Sequence, residues 1–219
     1  MTGPGKRPGP PARLSRGAIV AAALASGDLE SLSMRQLAAR LGVSHSALYR
    51  WVPGREGVID LISETLIDRI VPTDAPTPGN WRAWLGRLAW AAHDEFLATP
   101  GYATRISRPH RHTRGFFKMR DAVVAAFRAG GADPESAEQS WYVFGTVLVT
   151  WLGAQEQRLL GDAPLRFDLF LDSLLRGLPV REAAEYGGRP SAECGTRPSA
   201  EYGAQSSAEY GARPSAIDE

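Results

Sequence analysis

Ser33, Arg35, Ser44, His45, Ser46, Tyr49, Arg50 and Arg55 fall within one short run, SMRQLAARLGVSHSALYRWVPGR, at positions 33–55. Hydroxyls, an imidazole, a phenol and guanidinia are hydrogen-bonding and charge-pairing groups. Arginine forks match phosphate oxygens and guanine edges, and hydroxyl groups reach either. No paired carboxylates, metal-ligand spacing or nucleophile with its base accompanies them. The chemistry on offer is therefore the reading of a polyanion: phosphate contacts to set position and base contacts to set specificity.

Such side chains act only if the backbone aims them, and the same run supplies two short helices and a tight turn. Ser33 caps the first helix, its oxygen accepting from an otherwise unpaired backbone N–H. Met34, Leu37, Ala38 and Leu41 make one apolar face at helical spacing. Gly42 falls where the chain must turn left-handed. Val43 fills the corner and Ser44 caps the second helix, for which Ala47, Leu48, Trp51 and Val52 are expected to form the inner face. The result is a helix-turn-helix, whose second helix presents its N-terminal residues to base edges in the DNA major groove. Tyr49 and Arg55 are expected on phosphate, and Arg35, His45, Ser46 and Arg50 on bases, with Ser33 and Ser44 completing the DNA-facing set.

Residues 14–71 resemble the DNA-binding domain of the TetR family of bacterial transcriptional regulators. Leu32, Ser33, Arg35, Leu37, Ala38, Leu41, Gly42, Val43, Leu48, Tyr49, Val52 and Arg55 occupy the positions of that family's pattern. The chain departs from it at Trp51, where His or Tyr is usual, and at Val58-Ile59, near an expected leucine. The resemblance implies a first helix, the helix-turn-helix and a long fourth helix leading into a regulatory domain. It also implies a repressor that binds a palindromic operator as a homodimer and is released by a small hydrophobic effector. Activation, or DNA binding on the same fold without an effector, is the alternative.

The global numbers are compatible with that reading. A net charge of +1 over 219 residues looks weak for a DNA binder, but residues 1–60 carry eight basic against four acidic side chains. Charge asymmetry along the chain is the footprint of nucleic-acid contact. The first residues lack the apolar core of a signal peptide. The longest apolar run, 141–153, is too short to span a bilayer. The single Cys194 has no partner within the chain. A cytoplasmic protein with no membrane association, no cofactor and no enzymatic activity is expected. Phosphate-cradling glycine loops and nucleophile elbows are absent.

The rest of the chain divides by composition. Residues 1–13 form a Pro/Gly-rich basic arm expected to be disordered. Ile59, Ile62, Leu66 and Ile70 mark the fourth helix, and PTDAPTPG at 72–79 ends it. Residues 80–178 read as a helical effector-binding and dimerisation domain. Asn80 is positioned to cap a helix through Thr99, Thr113 one to Ala129, and Pro134 opens a long helix with Ala137, Trp141, Phe144, Leu148, Trp151 and Leu152 on one face. A last helix, Leu165 to Leu178, carries Phe167, Phe170, Leu171, Leu174 and Leu175. No stretch alternates like a strand, so the class is all-α.

Parts of this region, including Ser107 to Pro109, resemble the effector domain of the TetR subgroup named for the tetracycline repressor. In that subgroup the long and last helices pair with their copies as a four-helix bundle, and the apolar faces just named suit that role. An apolar or aromatic effector is expected among Trp84, His93, Phe96, Arg108, Phe117, Trp141, Phe144 and Gln155. Members that bind metal-chelated tetracycline use a histidine where this chain has Thr104, so the resemblance implies no metal there. His110 and His112 lack the further ligands a metal site needs. Residues 179–219 are expected to be a disordered tail: four copies of an octapeptide, beginning AEYGGRPS at 184, too rich in Gly, Pro and Ser to build a core.

Overall fold

The computed structural model describes residues 14–108, 113–159, 161 and 166–180. The N-terminal arm, His110, His112, Leu165 and the octapeptide repeats lie outside these residues. Among the described residues the protein is all-α. α1 spans Arg16–Leu24, a 3₁₀ turn Leu29–Ser31, α2 Met34–Arg40, α3 His45–Tyr49 and α4 Gly54–Ile70. They are followed by α5 Trp81–Leu97, α6 Tyr102–Ile106, α7 Arg114–Ala129, α8 Pro134–Glu156 and α9 Phe167–Gly177. No helix among the described residues is long and apolar enough to cross a membrane.

Local chemistry sets most helix starts. Ser15, Ser33, Ser44, Thr113 and Asp133 each accept a backbone N–H in the first turn of α1, α2, α3, α7 and α8. Each such bond satisfies one of the orphan donors of a helix N-terminus. Asn80 behaves differently from the expectation. It does precede α5, but its side-chain oxygen accepts from Thr77 N at 2.7 Å and makes no capping bond.

α4 is the common strut. Ile62, Leu66 and Ile70 are buried, and α1 packs on this helix, as do α5 and α7. Ile19, Val20 and Ala23 supply the α1 side. Burying such side chains contributes roughly 1.5–3 kcal/mol each for the larger ones, so α4 is held from both ends of the protein. The 72–79 loop is pinned to α5, where Trp84 Nε1 donates to Asp74 O at 2.8 Å and Arg87 pairs with the Asp74 carboxylate.

Two expectations about the later helices need correction. The face of α8 assigned to a partner subunit, with Ala137, Trp141, Phe144, Leu148 and Leu152, is buried within the chain against α6 and α7. A helix in a multi-layer bundle has more than one apolar face, and sequence spacing alone does not say which faces inward. The last helix runs Phe167–Gly177, shorter than expected, and packs on α5 through Phe167 and Trp90, whose rings meet edge to face at 4.7 Å.

α6 was not anticipated. It follows Pro100 and Gly101, whose φ of +82° is a backbone state natural to glycine. A carboxylate from far along the chain holds its start: Glu156 at the end of α8 accepts from Gly101 N and Thr104 N, each at 2.7 Å.

Candidate DNA-reading helix and ligand cavity

The turn between α2 and α3 has the geometry its residues require. Gly42 adopts φ +65°, and Val43 N donates back to Ala38 O at 3.1 Å, closing the corner. Leu37, Ala38, Leu48 and Val52 are buried beneath it. Ser33 Oγ accepts from Gln36 N at 3.5 Å, and Ser44 Oγ accepts from Ala47 N at 3.1 Å. Ser44 Oγ is also 3.1 Å from Ser46 Oγ. These two serines thus orient the helices that carry the other side chains.

Arg35, Ser44, His45, Ser46, Tyr49 and Arg50 are all exposed and lie on α2, α3 or their caps. The His45 and Tyr49 rings meet edge to face at 4.7 Å, as residues one helical turn apart can. Trp51 departs from the expected inner face, being 50% exposed, close to the 47% of Tyr49. The reason is that α3 ends at Tyr49, and the following turn carries Trp51 outward while Val52 alone continues inward. An exposed indole, with one N–H donor and a large apolar face, therefore joins the polar group.

Arg55 is the second correction. Its guanidinium turns into the protein, and Nη2 donates to Leu29 O and Glu30 O, each at 2.7 Å. Its Nε is buried as well. A side chain so committed ties α4 to the 3₁₀ turn and is not presented to a phosphate. The same turn is bound from the other side, since Leu29 N donates to Pro100 O at 2.9 Å and Arg108 pairs with Glu30 at 3.3 Å.

A cavity of about 660 Å³ opens between α4, α5, α6, α7 and α8. Of the eight residues expected to meet an effector, Phe96, Trp141 and Phe144 line it. The other five expected residues are elsewhere. Trp84 is core beneath the 72–79 loop. His93 stacks on Phe167 at 4.5 Å and touches Trp90 and Asp94. Phe117 is 5.4 Å from Phe116 on an exposed part of α7. Arg108 engages Glu30, and Gln155 is absent from the lining.

The polar part of the wall went unrecognised in the sequence. Glu56, Asp60 and Ser63 on α4 and Tyr102 and Arg105 on α6 line the cavity. Glu56, Asp60 and Ser63 recur at spacings of four and three, which puts them on one face of α4. Arg105 pairs with Glu56. Tyr102 is buried and hydrogen-bonded to Ser63. Burial first, opposed by that bond and aided by the charge of Asp60, pushes its phenol up to about 12.

No protein-family model matches the chain. A curated relative, the HTH-type transcriptional repressor DrrR1 of Streptomyces coeruleorubidus, is 40% identical over 94 residues, 39% of this chain and 33% of that protein. The match therefore spans about a third of the relative's length. Among solved structures, apo ActR from Streptomyces coelicolor superposes with a TM-score of 0.63 at 25% identity, covering 77% of this chain and 96% of ActR. BioQ, solved with its double-stranded DNA operator, gives 0.62 at 20% identity over 77% of this chain and 100% of BioQ. ActR, a TetR family protein, has also been solved with actinorhodin. With the helix-turn-helix, the strut helix and the cavity in one order along the chain, the fold is that of the TetR-family transcriptional regulators.

Proposed function

We propose that this protein is a ligand-responsive transcriptional repressor, cytoplasmic and non-enzymatic, that binds a palindromic operator as a homodimer and leaves it when a small aromatic molecule enters the cavity. The observation that carries the reading is the double duty of α4. Its first residues follow directly on α3 and Trp51, and three turns of it, from Glu56 to Ile67, line the cavity. A ligand that shifts this strut shifts the DNA-reading helix with it.

On this reading Arg35, His45, Ser46 and Arg50 meet base edges. Tyr49 and Trp51 meet the backbone, while Ser33 and Ser44 hold the register at the helix starts. Arg55 acts as a positioning residue. Two-fold symmetry follows from the need to place two such helices in successive major grooves. The dimer face is reassigned to the exposed apolar residues Val143 and Val147, one turn apart on α8, together with Leu169 on α9. The operator complex of BioQ and the actinorhodin complex of ActR support the two halves of the reading by likeness of fold.

Release needs only a differential affinity: a ligand favouring the non-binding state by a few kcal/mol shifts the population decisively. Selection of bound fragments from the source genome, followed by footprinting, tests the proposal. A protected site with two-fold symmetry is expected. Binding without sequence preference would overturn it.

A further inference from the structure

The cavity joins aromatic faces to a single fixed positive charge. Phe96, Phe116, Trp141 and Phe144 supply the faces, from α5, α7 and α8. Several of the lining hydroxyls are engaged within the chain. Tyr102 hydrogen-bonds to Ser63, Ser63 Oγ donates to Ile59 O at 2.9 Å, and Ser107 Oγ donates to Thr104 O at 2.8 Å. Thr113 Oγ1 accepts from Phe116 N at 3.3 Å. Tyr142, Thr146 and Thr150 recur every four residues along α8 and are exposed. A hydroxyl both donates and accepts, so none of these sets the charge of an occupant. That role falls to Arg105, Glu56 and Asp60, the ionised side chains of the lining.

Arg105 and Glu56 are held unequally. Arg105 Nη2 donates to Glu56 Oε2 at 2.5 Å, but the arginine side chain is 19% exposed and the glutamate 65%. Glu56 can turn away at little cost, because its carboxylate is already mostly in water and an ion pair with so exposed a member contributes little. Arg105 has no such exit. It is the one basic residue among the described residues of the lining, and it keeps its charge at physiological pH. Without a partner it would be a poorly hydrated cation at a cavity wall, which is a costly state. Its planar fork fits a carboxylate through two parallel N–H bonds, whereas the bond to Glu56 uses one nitrogen.

We infer that the cavity takes an aromatic monocarboxylate whose anionic group replaces Glu56 on Arg105, with its rings among Phe96, Phe116, Trp141 and Phe144. The inference rests on the effector reading above and names its ligand class. The exchange conserves the charge of the lining, since one carboxylate leaves the guanidinium as another arrives and Asp60 is unchanged. A dianion would add a negative charge to a wall that already carries Asp60, and is disfavoured. Glu56 stands in the first turn of α4 and Arg105 on α6. The incoming anion therefore severs a tie between the cavity and the helix start that follows the DNA-reading element.

Three probes of one ring system separate the possibilities: anthraquinone-2-carboxylate, the neutral anthraquinone-2-carboxamide and anthraquinone-2,6-dicarboxylate. Dissociation constants are read on the full chain from quenching of tryptophan fluorescence. The monocarboxylate is expected to bind about tenfold or more tighter than the carboxamide, with the dicarboxylate weaker than the monocarboxylate. Arg105→Gln is expected to shrink that preference to about twofold or less. Glu56→Gln, at an exposed position, keeps the guanidinium and removes its competitor, so it should act in the opposite sense. It is expected to tighten the monocarboxylate about threefold or more and to leave the carboxamide within about twofold. A pair that only held the fold together would move both probes alike. A carboxamide that binds as well as the monocarboxylate, a dicarboxylate that binds tightest, or a Glu56→Gln variant that weakens the monocarboxylate overturns the exchange and leaves an aromatic effector standing. Binding by none of the three removes the aromatic-effector reading as well.

Discussion

Arg55 reaches back to Leu29, its Nη2 donating to that residue's carbonyl at 2.7 Å and to the next carbonyl at the same distance. A charged donor shared by two carbonyls at the end of a 3₁₀ turn fixes how α4 meets the helix-turn-helix. Arg55→Met leaves both carbonyls without that donor and is expected to lower unfolding free energy by about 2–3 kcal/mol, with Arg55→Lys recovering part. Operator affinity should fall with it, but the slope of log affinity against log salt should stay as in the parent. Loss of a phosphate contact would instead reduce that slope by about one. A reduced slope at unchanged stability would return Arg55 to the DNA surface.

Trp51 carries the opposite expectation. Half exposed beside α3, it contributes little to the core, so Trp51→Ala should change unfolding free energy by no more than about 0.5 kcal/mol. Its operator affinity should drop about tenfold through loss of the indole N–H and its apolar contact. Denaturant titration and gel shift on the same preparations check both halves. A large stability loss would mean that the indole belongs to the fold.

The contrast between these residues shows what was legible in the sequence. Ser33, Gly42, Ser44 and Thr113 act on backbone groups within a few residues, so their roles could be read from local pattern. Trp51 obeyed the helical period but lies past the end of the helix, where periodicity no longer predicts direction. Arg55 matched a family position, yet its carbonyl partners are 25 and 26 residues away. The apolar face of α8 was legible as a face, but spacing could not say whether the same chain or a second copy covers it. Of the cavity, Phe96, Trp141 and Phe144 were legible as aromatics; Asp60, Ser63 and Tyr102 depend on α4 and α6 meeting.

Glu156 offers a test of what holds α6. Five residues are too few for a helix to persist on propensity alone, and this one is capped by a carboxylate from α8. Glu156→Ala is expected to cost about 2–3 kcal/mol by leaving two N–H groups without their charged acceptor. Hydrogen exchange at Gly101 and Thr104 should accelerate well beyond the global change. Unaltered protection at those two amides would show that neighbouring packing, not the cap, orders α6.

Tyr102 makes the stability depend on alkaline pH. Its phenol is raised from 10.0 to about 12 in the fold, so the folded state holds the proton more tightly than the unfolded chain. The associated stability is fully present below pH 10 and is lost as pH rises from there through about 12. Tyr102→Phe has no proton to lose there. The gap in unfolding free energy between parent and variant should therefore narrow or invert by up to about 2–3 kcal/mol across that window. Ultraviolet titration should show one phenol fewer ionising near 10 in the native parent. Parallel pH profiles for the two proteins would place the phenol in contact with water.

Val143 and Val147 test the reassigned dimer face. Both are exposed at 39% and 38% in the single chain, on a helix whose other apolar face is already buried. Glutamate at both positions would bring like charges together across a two-fold axis and remove the apolar area they bury, because an isologous contact repeats each substitution. Sedimentation equilibrium is expected to give a dimer for the parent and a monomer for the double variant. Leu159→Glu, a change at an exposed residue beyond the end of α8, should remain dimeric. The double variant should also lose most of its operator affinity while keeping far-ultraviolet helicity, since a single recognition helix retains only half of the base contacts. A double variant that stays dimeric would move the interface to another face of the protein.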